Sequence, residues 1–371
     1  MNKIRIVATY LFYPLSMIYT LVVTIRNKAF DYGLLRSCSH GISTIGVGNL
    51  SAGGTGKTPH VEYLARLLQS ENYGRLALLS RGYKRKTKGF LLASPASKVE
   101  DIGDEPYQMY SKLPGVNVAV CEDRNTGVQF IDKYCSDTKV ILLDDVYQHR
   151  YIKPDVMVLL TDYNMPFYRD RVIPFGNLRE PRKGYKRADI IVVTKCPKVL
   201  SNNEQTDIIS CIKPTARQKV YFSYMEYGQP TSFDGKITTM LSDVENILIV
   251  AGIANPKPLV DKVKETSNAF LCRFPDHHHF SNADMEFIRK RFLSINSDNK
   301  IVLTTEKDYV RLKSSEYRAV IEDLPIYYIP IEVKFHQSSY PDFDNQIVSR
   351  IATVPTVARS LGETKSISHF P

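Results

Sequence analysis

Short apolar runs alternate along the chain with segments whose apolar residues recur every three or four positions. The runs occupy residues 76–80, 116–120, 140–143, 156–160, 190–194, 246–251 and 300–304. Such runs are typical of buried strands in a parallel sheet, and the longer spacing is typical of helices. Their alternation predicts an α/β fold with doubly wound parallel sheets, in which ligands collect at the carboxyl ends of the strands.

Two units are expected, because 371 residues exceed the usual size of one hydrophobic core. A composition rich in Tyr, Gly, Ser and Thr over residues 221–243 is typical of a linker or a small ribbon. We therefore predict an amino-terminal helix over residues 1–30, a first α/β/α domain over 31–220, a linker over 221–245 and a smaller second α/β/α domain over 246–371.

The amino-terminal segment from Ile6 to Ile25 contains no charged residue. Basic residues flank it at Lys3, Arg5, Arg26 and Lys28. At about 1.5 Å per residue it is just long enough to span a bilayer, but Pro14, hydroxyl side chains and tyrosines favour the membrane interface. We expect a helix on the membrane surface, with its basic flanks on anionic headgroups. A helix buried in the protein core is the alternative.

The composition indicates a folded globular protein, with 43% hydrophobic and 24% charged residues. Six scattered cysteines form no C-x-x-C pair, which predicts reduced thiols. A formal net charge of +10 suggests an acidic partner: nucleic acid, anionic lipid or a phosphorylated substrate. Two basic clusters stand out, at Arg81, Lys84, Arg85, Lys86 and Lys88 and at Arg179, Arg182, Lys183, Lys186 and Arg187. Either cluster alone also fits a solvated surface.

A glycine-rich turn follows an apolar run within residues 47–58 and ends in Gly-Lys-Thr. In a P-loop, backbone N–H groups converge on phosphate oxygens, the lysine reaches the β and γ phosphates, and the hydroxyl ligates Mg²⁺. Ser51 replaces the first glycine of the motif, and Gly53 and Gly54 supply backbone freedom nearby. The predicted nucleotide-binding residues are Ser51, Ala52, Gly53, Gly54, Thr55, Gly56, Lys57 and Thr58. The alternative is an ordinary turn before a helix.

Carboxylates follow two other segments. Asp144 and Asp145 end the apolar run 140–143, where a P-loop enzyme places acids that hold Mg²⁺; a cap at the strand end is the alternative. Asp104 lies in the sequence Gly-Asp-Glu-Pro at 103–106 and is a candidate base for an attacking hydroxyl, or otherwise part of a helix start.

Residues 274–280 contain three adjacent histidines beside Asp276. Consecutive residues do not share one face of a helix or strand, so one metal site built from all three is strained. A histidine beside a carboxylate is a more natural acid/base pair, whereas the cluster by itself is equally compatible with a surface or capping role.

Eight blocks of the sequence resemble, in the same order, the tetraacyldisaccharide 4′-kinases, the lipid A 4′-kinase family. They are residues 47–59, 80–83, 103–106, 144–150, 177–181, 251–256, 274–278 and 304–308. The resemblance extends over roughly residues 1–312 and makes the first unit a P-loop kinase domain. It implies transfer of the ATP γ-phosphate to the 4′-hydroxyl of an acylated disaccharide 1-phosphate lipid, with ATP and Mg²⁺ as cofactors, at the cytoplasmic face of the bacterial inner membrane.

The same resemblance implies roles for individual residues. Asp104 corresponds to the catalytic base and His277 to its partner; His277 is preferred to His278 because it directly follows the motif aspartate. Lys57 contacts the phosphates. The predicted Mg²⁺ ligands, from the resemblance and the strand-end pattern together, are Thr58, Asp144, Asp145 and Glu180.

Two other classes of protein are alternatives. A membrane-associated GTPase-type switch would need an Asn/Thr-Lys-x-Asp element, and the sequences at 194–197 and 305–308 lack that order. A nucleic-acid-binding ATPase is suggested by the net charge alone and has no aromatic stacking motif, so we expect no nucleic-acid partner.

Overall fold

The fold was described from a computed structural model covering residues 3–276, 278–339 and 342–352, with backbone only for residues 3–11. The strands are β1 (Ser43–Asn49), β2 (Arg75–Ser80), β3 (Leu91–Leu92), β4 (Val116–Val120), β5 (Thr138–Asp144), β6 (Val156–Asp162), β7 (Ile190–Thr194), β8 (Lys219–Tyr227), β9 (Thr231–Ser232), β10 (Asn246–Ala251), β11 (Asn268–Arg273), β12 (Lys300–Thr305), β13 (Ile326–Ile329) and β14 (Ile331–Phe335). The helices are α1 (Lys3–Asp31), α2 (Lys57–Ser70), α3 (Val99–Ile102), α4 (Asp104–Lys112), α5 (Arg124–Tyr134), α6 (Asn202–Ile212), α7 (Lys257–Lys264), α8 (Asn282–Leu293), α9 (Glu306–Ser314) and α10 (Asp342–Ala352).

The larger sheet of the described residues has nine strands in the order β14-β8-β7-β6-β1-β5-β2-β4-β3. β1 lies at its centre, parallel to β5 on one side and to β6 on the other. Along β5 successive side chains enter different cores: Leu142 packs with Leu64 of α2, and Ile141 packs with Val128 of α5. Helices therefore cover both faces, as a parallel sheet requires. The predicted α/β fold is confirmed.

The smaller sheet has the order β11-β10-β12-β13-β9, and only its β9 edge is antiparallel within the described chain. Leu248 of β10 packs with Met285 of α8 on one face. Ile247 packs with Leu259 of α7 on the other face. A second, smaller α/β/α unit is therefore present, as the strand pattern predicts.

The chain passes between the two units twice, once after β8 and once before β14. β14 pairs antiparallel with β8, so both strands belong to the larger sheet. α10 then buries Phe343 and Ile347 in the core of the larger unit, beside Phe335. The structure thus places part of the segment predicted as linker, and the described end of the predicted second domain, with the larger sheet. The domain boundaries themselves stay a prediction.

α1 packs along the larger unit. The Ser16 hydroxyl donates a hydrogen bond to the carbonyl oxygen of Val172 at 2.7 Å, and the Tyr19 hydroxyl donates to that of Arg179 at 3.0 Å. Large apolar side chains of the helix are exposed: Phe12, Tyr13, Leu15, Met17, Ile18, Leu21, Val22 and Ile25. Of these, Ile18, Leu21 and Ile25 lie on the side away from Ser16. No helix within the described ranges has the length and apolarity needed to cross a bilayer.

Candidate functional site

A cleft of about 1100 Å³ lies at the carboxyl ends of β1, β2 and β5. Residues 53–59 form part of its wall, and Tyr19 and Arg26 of α1 form another part. The smaller unit contributes residues 305–307 from the start of α9, and also Asp276. The cleft is therefore bounded by both units and by the amino-terminal helix. This is the position at which an α/β sheet binds its ligands.

The glycine-rich turn joins β1 to α2, as the motif predicts. Gly56 directly precedes the helix and has a left-handed backbone with φ of 84°, which glycine adopts without strain. The Asn49 amide donates to Thr55 Oγ1 at 2.9 Å across the turn. Lys57 Nζ lies 3.4 Å from Asn49 Oδ1 and 3.6 Å from Asp145 Oδ1. The lysine is thus held at the floor of the cleft.

The predicted phosphate-binding residues divide into two groups. Residues 53–58 line the cleft. Ser51 instead forms a β-bridge with Leu178, and the Ala52 amide donates to the Asn177 carbonyl oxygen. Neither of these first two residues lines the cleft. Ser51 is buried at its bridge with Leu178, and Ala52 is exposed. Their nucleotide contact stays a prediction.

Asp144 and Asp145 lie together at the end of β5 and are electrostatically different. Burial, followed by Glu105 and Asp145, raises the pKa of Asp144 to about 7. Burial would also raise the pKa of Asp145, but Lys57 and Arg179 outweigh it and hold that pKa below its ordinary value. Both oxygens of Asp145 accept from Arg179 Nη1, at 3.1 and 3.0 Å.

The residues at this corner suit a Mg²⁺ ion that is shared with nucleotide phosphates. Asp144 Oδ1 is buried and has no hydrogen-bond partner among the described residues, so a hard acceptor atom is left over beside the P-loop. In the described part of the chain, no three His, Cys, Asp or Glu side chains cluster as a metal site. Nucleotide-bound Mg²⁺ needs only one or two carboxylates, because phosphates and waters complete its shell.

Glu180 is a buried bridge between α1 and the larger unit. Its carboxylate accepts from Arg187 at 2.7 and 2.8 Å, from the Gln148 amide at 3.0 Å and from the Asn27 amide at 3.1 Å. These four donated hydrogen bonds occupy both oxygens. A role as a Mg²⁺ ligand stays a prediction.

Asp104 begins α4 and faces the smaller unit. Its Oδ2 accepts from Arg311 Nε at 2.8 Å and from Nη2 at 2.5 Å. The next residue, Glu105, accepts from Lys307 at 2.8 Å and lines the cleft, whereas Asp104 is absent from the lining. The predicted base thus lies at the contact between the two units, and its catalytic role stays a prediction.

The histidine cluster is only partly described, because His277 lies outside the described residues. His278 Nε2 lies 3.0 Å from Asp284 Oδ2, and its ring stacks on Phe274 with centroids 5.0 Å apart. His278 therefore contacts the start of α8. Asp276 lines the cleft.

Several polar residues of the cleft are not among the predicted site residues. Gln148 donates to the Asn49 carbonyl oxygen at 2.8 Å and so links β1 to Glu180. Arg124 is 2% exposed and donates to the Asp144 carbonyl oxygen at 3.1 Å. Gln148 and Glu105 lie inside blocks that carry the family resemblance. Their place in these blocks is the signal from which both residues could have been predicted. Arg124 lies in none of these blocks.

His60, in the first turn of α2, is buried and is also not among the predicted site residues. Burial lowers the pKa of His60 to about 4, so the ring is neutral at physiological pH. From the other side, the Thr194 hydroxyl donates to the Thr55 carbonyl oxygen at 2.8 Å, and Lys195 donates to that of Gly54. The carbonyl oxygens of the turn are thus held by the protein.

Comparisons with known proteins agree on one family. A family model described as tetraacyldisaccharide-1-P 4′-kinase matches residues 8–352. The curated tetraacyldisaccharide 4′-kinase of Bacteroides thetaiotaomicron is 43% identical over 91% of this chain and 92% of its own length. That of Flavobacterium johnsoniae is 45% identical over 88% of this chain and 94% of its own length. The crystal structure of LpxK from Aquifex aeolicus in complex with ATP has a TM-score of 0.70 and 29% identity, covering 91% of this chain and 98% of that chain.

Proposed function

The chain belongs to the tetraacyldisaccharide-1-P 4′-kinase family, and we propose that it transfers the γ-phosphate of ATP to the 4′-hydroxyl of a tetraacyldisaccharide 1-phosphate in lipid A biosynthesis. The observation that carries this proposal is that one cleft contains both the P-loop and part of α1. α1 also exposes an apolar surface outside the cleft. A triphosphate cradle beside an amphiphilic helix suits a kinase whose acceptor is a lipid.

ATP binds with its phosphates on the P-loop. Backbone N–H groups of residues 53–58 surround the β and γ phosphates, and Lys57 neutralises their charge. Because Lys57 also lies near Asp145, the ammonium group is already oriented before the nucleotide arrives. ATP is the nucleotide named for the similar Aquifex LpxK.

Mg²⁺ would be held by the Thr58 hydroxyl and Asp144, with Asp145 and Glu180 beside them. When bound, the ion would neutralise charge that develops on the transferred phosphoryl group. Asp144 suits this role since its buried Oδ1 lacks a partner among the described residues. Asp145, paired with Arg179 and Lys57, keeps its negative charge.

Asp104 is the proposed base for the 4′-hydroxyl, with His277 as its partner. As the hydroxyl oxygen attacks phosphorus, its proton must pass to a group within hydrogen-bond reach. Asp104 and its neighbour Glu105 contact α9 of the smaller unit through Arg311 and Lys307. A movement of the smaller unit would therefore change the ion pairs of these carboxylates beside the P-loop and exclude water from the cleft.

The exposed face of α1 is proposed to dock on the cytoplasmic face of the inner membrane. Ile18, Leu21 and Ile25 are each about 60% exposed, which is costly in water and favourable at the boundary between headgroups and acyl chains. Arg26 of the same helix lines the cleft. The acceptor could thus keep its acyl chains near the bilayer while its sugar hydroxyl enters the cleft.

The test incubates purified protein with γ-labelled ATP, Mg²⁺ and an acylated disaccharide 1-phosphate in mixed micelles. The expected product is a bisphosphorylated lipid that carries the label. Omission of the lipid and the Lys57→Ala variant are the controls. ATP hydrolysis or nucleotide binding without a labelled lipid product contradicts the proposed transfer.

A further inference from the structure

We propose that His60 is a positioning residue that fixes the P-loop peptide through which the chain grips the triphosphate. The inference rests on the proposed function, since it assumes that this loop binds ATP. His60 follows the Gly-Lys-Thr-Pro sequence in the first turn of α2 and is 2% exposed. None of the roles described above uses it.

The imidazole bridges the P-loop and β8. Nδ1 lies 2.7 Å from the carbonyl oxygen of Gly56, and Nε2 lies 2.9 Å from the hydroxyl of Ser223. A carbonyl oxygen only accepts, so Nδ1 carries the proton of the neutral ring, and Nε2 accepts from the Ser223 hydroxyl. Both ring nitrogens are therefore satisfied in one tautomer.

The Gly56 oxygen accepts from the backbone N–H of His60 at 3.2 Å and, more closely, from the ring, and together these two bonds orient the peptide group between Gly56 and Lys57. A trans peptide is planar, and its C=O and N–H point in opposite directions. When His60 holds the Gly56 oxygen toward the protein interior, the Lys57 N–H must point the other way, toward the cleft. The backbone N–H of Lys57 is one of the groups that a P-loop presents to phosphate.

The second bond fixes the ring against the larger sheet. Ser223 is fully buried in β8 and pairs with Phe335 of β14. β8 also crowds the turn itself, because a Cβ atom on Gly56 would lie 2.7 Å from Cε of Met225. This crowding and its left-handed backbone restrict Gly56 to a narrow range of conformations. The two hydrogen bonds of His60 connect Gly56 to the larger sheet.

The simpler alternative is that His60 only fills core volume, next to Phe335 at a ring centroid distance of 6.3 Å. Two amide variants separate these roles. In His60→Asn the side-chain amide occupies the place of Nδ1 and can still donate to Gly56. In His60→Gln the side-chain amide occupies the place of Nε2, so it can hydrogen-bond only with Ser223 of β8. Both remove the ring, but Gln is closer to His in volume, so a pure volume role predicts that His60→Asn is the more damaging variant.

The test compares the two variants by equilibrium binding of ATP and by steady-state phosphorylation of the lipid acceptor. We expect His60→Asn to stay within about threefold of the parent in ATP affinity and in KM for ATP. His60→Gln should weaken both by about tenfold or more, the effect of one well-placed hydrogen bond. KM for the lipid should stay unchanged in both. Equal ATP affinities for the two variants, or a weaker affinity for His60→Asn, overturn the proposal.

Ser223→Ala keeps the ring and provides the measurement if neither His60 variant folds. Losing the hydroxyl removes the partner that fixes the ring against β8, so we expect ATP affinity to fall by about threefold. An unchanged affinity contradicts the positioning role. Since ATP binding is measured without acceptor, failure of this inference is distinguishable from failure of the proposed lipid phosphorylation.

Discussion

A buried charge triad joins three helices near the cleft. Lys112 at the end of α4 lies 2.7 Å from Glu62 of α2 and 2.7 Å from Glu306 of α9. The lysine side chain is 19% exposed, and the two glutamates are 10% and 11% exposed. We predict that Lys112→Met destabilises the fold strongly at alkaline pH and less at acidic pH, because Glu306 then loses its cation beside Glu62, whose remaining cationic partner is Arg66 at 3.0 Å.

The size of the effect follows from burial. Breaking a buried ion pair by removing one partner costs about 3–5 kcal/mol, and the residual exposure of Lys112 places the expected loss at about 3 kcal/mol at pH 8. Burial raises the pKa of Glu306 even with Lys112 present. Without the cation, that pKa rises further, so the folded variant binds more protons than the unfolded chain. The stability of the variant therefore increases as the pH falls, and its loss of unfolding free energy relative to the parent becomes smaller.

The assay is urea unfolding followed by far-UV circular dichroism at pH 8 and pH 5.5, since the chain contains no tryptophan. Lys198→Met is the matched control: Lys198 lies at the same 2.7 Å from Glu226, but the side chains are 63% and 38% exposed. We expect that variant to lose less than about 1 kcal/mol at either pH. An equal loss of unfolding free energy at both pH values for Lys112→Met, or a loss no larger than that of the control, would contradict a stabilising role for the buried triad.

Three further predictions concern activity, thiols and the membrane. Lys57→Ala should lower kcat/KM by about a thousandfold while the far-UV spectrum stays unchanged; near-parent turnover would contradict the phosphate role. A thiol reagent should modify only Cys38 and Cys211 in the native protein and all six cysteines in denaturant, because the others are buried and burial raises the pKa of Cys196 to about 12. Ile18→Asp should weaken binding to anionic vesicles without changing ATP affinity; parallel losses in both assays would place that side of α1 in the protein core.

Local sequence patterns were sufficient for the features that a single segment determines. The apolar run before Asp144 predicts β5 and the position of its two carboxylates, because strand length and terminal polar residues are read from neighbours in sequence. The turn before Lys57 predicts the β1-to-α2 connection for the same reason. Even so, the sequence pattern does not show that the 177–178 segment covers Ser51, since that depends on a bridge with Leu178.

Local sequence patterns did not predict the features that depend on residues far apart in the chain. Asp104 pairs with Arg311 across 207 positions of the chain, and nothing near either residue specifies the other. His60 resembles any helical histidine until Ser223 of β8 is placed beside it. The return of β14 and α10 to the larger unit depends on Phe335 and Phe343 filling a core built mainly by earlier residues.

The two passages of the chain between the units also determine the order in which the protein can be completed. β14, which pairs with β8, and α10, which packs on the larger unit, both follow the whole smaller unit in the sequence. During synthesis on a ribosome, the larger sheet therefore cannot be completed until residues 331–352 have emerged, and the β8 edge stays exposed until then. Early folding of the inserted unit would bring the ends of its segment together and so shorten the search of β14 for its place.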